Sequence, residues 1–197
     1  HDVGRFPQYR MYRTFRDSES VNHAALGAKV LIEENVLQGL SRSEHSLVIR
    51  AVTLHNVFTL PEDIDERTDL HARVIRDADK IDIWRVFIEL FDLPEAERSN
   101  AAGLGLAETG DYSPGILALL HERQMVRLTN LRNLNDFKLL QLAWIYDLNF
   151  APSLRMVVER GVIERLSATV PQTPEVGRAL TKLRQFVAAR LAAATAV

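Results

Sequence analysis

Apolar residues recur along this chain at spacings of three and four, and the alternation that marks a half-buried strand is nearly absent. The clearest case lies near the C-terminus. There Val176, Leu180, Leu183, Phe186, Val187 and Leu191 trace one face of a helix predicted over 174–194, with Pro174 in its first turn. That face suits packing onto the rest of the chain first, and pairing of two copies as a homodimer second. Upstream, a helix is predicted over 21–38, capped by Ser18 or Ser20, with Ala24, Ala25, Ala28, Val30, Leu31 and Ile32 as its apolar surface. Another follows Ser43 over 44–58. A third stretch opens at Asp63 or Asp65, reaches Phe91 and is stopped by Pro94. Helices near 115–125, 131–147 and 152–160 complete an all-α fold.

One interval breaks the periodicity. Residues 95–114 gather Asn100, Gly103, Gly105, Gly110, Asp111 and Pro114, a loop composition. It divides the chain into a core over 1–95 and a helical region over 96–197, expected to pack on that core as part of the same domain.

Composition narrows the function. Hydrophobic residues make up 47% of the 197, enough for a sizeable core. The 24 lysines and arginines do not exceed the 26 acidic residues, so no basic excess is available to hold long nucleic acid. The absence of cysteine excludes disulfide scaffolds and thiolate metal sites. No apolar run approaches the roughly 20 residues that span a bilayer. No membrane partner is expected, and a cytoplasmic location is.

Candidate chemistry resides in the histidines and carboxylates. Six histidines are present, and three sit in suggestive surroundings. They are His1-Asp2-Val3-Gly4-Arg5, then His23-Ala24-Ala25-Leu26-Gly27, then Leu54-His55-Asn56. A fourth stretch, Ile75-Arg76-Asp77-Ala78-Asp79-Lys80-Ile81-Asp82, sets carboxylates among apolar residues. Imidazole nitrogen with carboxylate oxygen suits Mn, Fe, Zn or Ni, and Mg less well. Each group stands on a different segment, so only folding can bring them together. His45, His71 and His121 lack such a context and are assigned to structure. Asp77 and Asp82 read as acceptors behind the ligands or as solvated residues, and Asn56 as an orienting or capping group. Arg123, Arg127, Arg132 and Lys138 read as a solvated face, and the aromatic stretch over 144–150 as core.

In this order the motifs resemble the HD superfamily, all-helical proteins named for a histidine–aspartate pair. His1-Asp2 resembles the paired ligands and Asp79 the final aspartate. His23 and His55 are similar to the further histidines of dinuclear members. The likeness covers roughly 1–92. It is closest to a bacterial branch whose function is not assigned, on His-Asp-Val-Gly-Arg-Phe-Pro-Gln-Tyr, Leu-His-Asn and Ile-Arg-Asp-Ala-Asp-Lys-Ile-Asp. The family's first histidine precedes the pair, so a further ligand is expected upstream of His1.

The resemblance implies an HD-like helical bundle with additional C-terminal helices. It implies that His1, Asp2, His23, His55 and Asp79 hold one or two divalent ions (Mn, Fe, Ni, Zn or Mg), with Asp2 bridging if there are two. It also implies a phosphohydrolase that activates water to attack a phosphomonoester or phosphodiester, a nucleotide included. Arg5 is then the first choice for a phosphate clamp and Lys80 the second. Cyclic-dinucleotide cleavage fits poorly, because Asn56 stands where that branch has a second histidine and its Gly-Tyr-Pro segment is absent. The Glu-Asp motif of alarmone hydrolases is absent too. Two alternatives share the same residues. One is the di-iron oxygenase chemistry of some HD proteins, and the other a degenerate site acting as a regulatory or ligand-binding module.

Overall fold

Several of the helix starts are fixed by short polar side chains that satisfy first-turn amides. The computed structural model describes residues 1–94, 97 and 103–195. Its α-helices are α1 (Arg5–Tyr12), α2 (His23–Glu33), α3 (Arg42–Leu54), α4 (Glu66–Asp92), α5 (Pro114–His121), α6 (Leu134–Ala143), α7 (Ala151–Glu159), α8 (Val162–Ser167) and α9 (Pro174–Thr195). The fold is all-α, with no strand among the described residues. Of the loop-rich interval, residues 95, 96 and 98–102, Asn100 among them, lie outside the described residues.

Asn22, not Ser18 or Ser20, opens α2: its side chain accepts from the Ala25 amide at 2.9 Å, while Asp17–Glu19 form a separate 3-10 turn. Ser41 opens α3 through a reciprocal box with Glu44. The Glu44 carboxylate accepts from the Ser41 amide at 2.9 Å, and the Glu44 amide donates to the Ser41 hydroxyl at 3.3 Å. Asp65 accepts from the Thr68 amide at 3.0 Å at the head of α4. Leu93 and Pro94 follow the last turn of α4.

The chain divides inside α4 into two compact units, His1–Arg76 and Asp77–Val197. In the first, α2 is the central element. It packs against α3, α1 and the 3-10 turn Asp2–Gly4. Two glycines make the last of these contacts possible. A methyl group on Gly4 would lie 2.2 Å from the His23 carbonyl oxygen and 2.5 Å from the Gly27 nitrogen. One on Gly27 would lie 3.2 Å from the His1 carbonyl oxygen. Backbone therefore meets backbone, and the chain's first residues are drawn onto the first turns of α2.

The second unit is built on an apolar core. Trp84, Phe87 and Ile88 from α4 join Leu120 of α5, Phe137, Leu139 and Leu140 of α6, Leu154 of α7, and Leu166 of α8. Val176, Leu180, Leu183 and Val187 bury the predicted face of α9 in this same core, so that face is not available for the homodimer it also suited. Ile145 and Leu148 are buried there as well, with Trp144 packed against them. Two polar residues fall differently from the sequence reading. Lys138 is only 1% exposed rather than solvated, because its ammonium donates to the Thr169 carbonyl at 2.9 Å and to Glu108 at 3.2 Å. Asp77 is buried and accepts from the Asn149 and Phe150 amides at the head of α7. No helix among the described residues is long and apolar enough to cross a membrane.

Candidate metal centre

Three segments of the first unit deliver ligand atoms to one point. Asp2 stands in the turn seated by Gly4 and Gly27. His23 is the first residue of α2. His55 follows the last turn of α3, where Arg76 donates to the carbonyls of His55, Val57 and Phe58 and holds the chain's exit. The two imidazole Nε2 atoms face each other at 3.0 Å. Asp2 Oδ1 lies 3.4 Å from the first and 3.5 Å from the second. His23 and His55 are 5% and 3% exposed. His1 borders the group, with its ring edge-on to His55 at 4.8 Å between centroids and its Nε2 3.9 Å from Asp2 Oδ1.

The far side of each ring decides what the near side offers. His23 Nδ1 lies 2.8 Å from both carboxylate oxygens of Asp17, and His55 Nδ1 lies 2.7 Å from the Val52 carbonyl oxygen. Both partners only accept, so each Nδ1 carries the proton. Each Nε2 then presents a lone pair toward the other and toward Asp2. Asp2 Oδ1 is itself buried without a hydrogen-bond partner. Three electron-rich atoms thus converge where only a positive charge can sit between them.

A divalent ion fits this arrangement. Donors about 2.1 Å from a common ion lie about 3.4 Å apart at tetrahedral angles and about 3.0 Å apart at right angles. The observed separations of 3.0, 3.4 and 3.5 Å lie within or just beyond that range. Burial by itself pushes the Asp2 carboxyl up. The neighbouring His55 ring, with the charges of Arg5, His1 and His23, outweighs burial and brings the carboxyl down to about 2.

The remaining predicted residues are placed as follows. Arg5 is half-buried beside the group. Its Nη1 donates to the Phe15 carbonyl at 2.8 Å and lies 3.9 Å from Asp17, and its Nε is 3.6 Å from Asp2 Oδ2. Asp79 and Lys80 lie on α4 in the second unit, where the buried Lys80 ammonium pairs with Asp147 at 2.8 Å. His71 caps the Arg67 carbonyl at 2.8 Å on an exposed turn, and His121 lies 3.2 Å from the Lys182 ammonium.

Sequence reasoning missed two residues behind the ligands. These are Asp17 and Gln8. Gln8 is fully buried, and its amide donates to Asp17 at 2.9 Å, to the Ser20 hydroxyl at 2.9 Å and to the Val21 carbonyl at 3.1 Å. Asn56 donates to Asp17 at 3.1 Å, an orienting role. Burial raises the Asp17 carboxyl, and hydrogen bonds from His23 and Gln8 outweigh this and hold it below the usual carboxylate range. Gln8 was detectable in principle: it stands four residues after Gly4, on the same helical side as the glycine that meets α2.

No protein family, curated protein or solved structure matches this chain.

Proposed function

We propose that the protein is a metal-dependent phosphohydrolase of the HD type, acting on a small phosphomonoester or phosphodiester, a nucleotide among them. One observation carries the proposal. Asp2, His23 and His55 aim three unprotonated ligand atoms at one buried point, with both imidazoles fixed in the tautomer that binds metal. His1, Asp2, His23 and His55 hold one or two divalent ions. Bound there, such an ion supplies Lewis acidity that lowers the pKa of water toward about 7.

The chain's own groups do the rest. Asp2 carries the negative charge that makes the site selective for cations. Arg5 stands beside it, so a guanidinium that already offsets Asp2 also meets the phosphoryl oxygens. The Lys80 ammonium is committed to Asp147, which leaves Arg5 as the phosphate contact. A cytoplasmic location suits a small phosphorylated substrate of this kind.

Elemental analysis of freshly purified protein, followed by turnover of aryl phosphates and phosphodiesters with Mn or Ni, tests this reading. Asp2→Ala should lose bound metal and activity together, and Arg5→Ala should raise KM with metal retained. A wild-type protein that takes up no divalent metal sinks the proposal. Iron with visible colour and oxygen consumption would point to the oxygenase alternative. Tight nucleotide binding without turnover would point to a regulatory module.

A further inference from the structure

Asp17 receives more hydrogen bonds than any structural cap in the first unit requires. His23 Nδ1 lies 2.8 Å from both its oxygens, and the His23 main-chain amide donates to Oδ2 at 3.3 Å. The Gln8 and Asn56 side-chain amides donate to Oδ1 and Oδ2 at 2.9 and 3.1 Å. These donors come from α1, from the start of α2 and from the loop after α3, and the last two also carry His23 and His55. A carboxylate has acceptor capacity for all of them. An amide has a single oxygen, and its NH2 would face donors.

We infer that Asp17 is a positioning residue for the metal centre, holding His23 with its proton on Nδ1 so that Nε2 is presented to the ion. A carboxylate behind a ligating imidazole fixes ring orientation and raises ligand basicity, and its loss typically lowers metal affinity by about 10- to 100-fold. Gln8 and Asn56 serve the same end one step further out. They hold the carboxylate, and neither replaces it as an acceptor.

The affinity part of this inference rests on the metal reading above, whereas the state of the His23 ring does not. Histidine-ring 15N NMR on the metal-free protein therefore comes first. His23 should carry its proton on Nδ1 in the wild type, and a bare Nδ1 overturns the inference whether or not any variant folds. In Asp17→Asn the Nδ1 signature should be lost, and Mn(II) or Zn(II) affinity by titration calorimetry should fall by about 10- to 100-fold. Asn56→Ala removes a donor and no acceptor, so it should leave affinity within about threefold by the same logic. An unchanged ring in Asp17→Asn together with wild-type affinity, or an Asn56→Ala loss as large as that of Asp17→Asn, overturns the positioning role. If the wild type takes up neither metal, the proposed function fails, and the ring measurements alone still decide whether Asp17 sets His23.

Discussion

The two units of this molecule are organised around opposite kinds of centre. In His1–Arg76 the best-buried side chains around α2 include His23, His55 and Gln8, tied to half-buried Asp17 and Asp2. In Asp77–Val197 the centre is a continuous apolar cluster running from Trp84 to Val187. An apolar core gains from burial without needing any particular partner atom. A polar centre gains only when every lone pair finds a positive group, and the one formed by Asp2, His23 and His55 is short of one. The second unit is thus completed by its own sequence, whereas the first gathers ligand atoms that could hold an ion.

The contrast can be broken first through the apolar side. Leu120 is fully buried in the second unit, so Leu120→Ala should cost about 2–5 kcal/mol in a denaturant or thermal melt. Metal uptake by the protein that remains folded should be unchanged, and a proportional loss of metal affinity would show that the two centres are not separable. Ion binding should act in the other direction. A divalent ion at about 100 times its Kd should stabilise the native state by about 2.7 kcal/mol. Amide exchange should report that protection around His23 and His55 before it reaches α6 or α9, and protection spread evenly over both units would contradict the division.

Gly4→Ala acts on the seat of the site. Its methyl group would collide with the His23 carbonyl at 2.2 Å, so the Asp2–Gly4 turn must lift from α2 at a cost of about 1–3 kcal/mol. Metal affinity should fall with it, and retained affinity would show that this close packing does not place Asp2. Ser41→Ala, far from either centre, removes the α3 cap and should cost about 1 kcal/mol. It should also remove a small pH dependence. Hydrogen bonds from the Ser41 hydroxyl and amide hold Glu44 below its usual value, so the wild-type box contributes fully above the unfolded-state pKa of Glu44. That contribution is lost as pH falls through the lower folded-state value. Parallel stability–pH curves for wild type and Ser41→Ala would remove the box as their source.

Much of the fold was legible because periodicity is a local property. The α9 face needed only the three- and four-residue spacing of Val176, Leu180, Leu183 and Val187, and the ending of α4 only Pro94. Cap identity was less legible. Ser18 and Ser20 were as plausible as Asn22 until Asp17–Glu19 took up a turn of their own. The helix α1 was missed because its residues Phe6, Tyr9, Met11 and Tyr12 are exposed and its buried side is a glutamine. Lys138 was misjudged because a lysine in isolation belongs in water, and nothing in its neighbours' order announces the Thr169 carbonyl that receives it.

The sequence by itself determined which residue types were available and on which elements: histidines and an aspartate on separate helical segments, and an apolar set sufficient for an all-α core. It did so because side-chain chemistry and helical period are carried by residues close together along the chain. Only the tertiary structure decided that Gly4 meets Gly27, that Asp2, His23 and His55 share one buried point, and that Asp17 sets the direction in which His23 faces. Most of those are distances between residues far apart along the chain, and they exist only once backbone contact and hydrogen bonding have closed the loops between them.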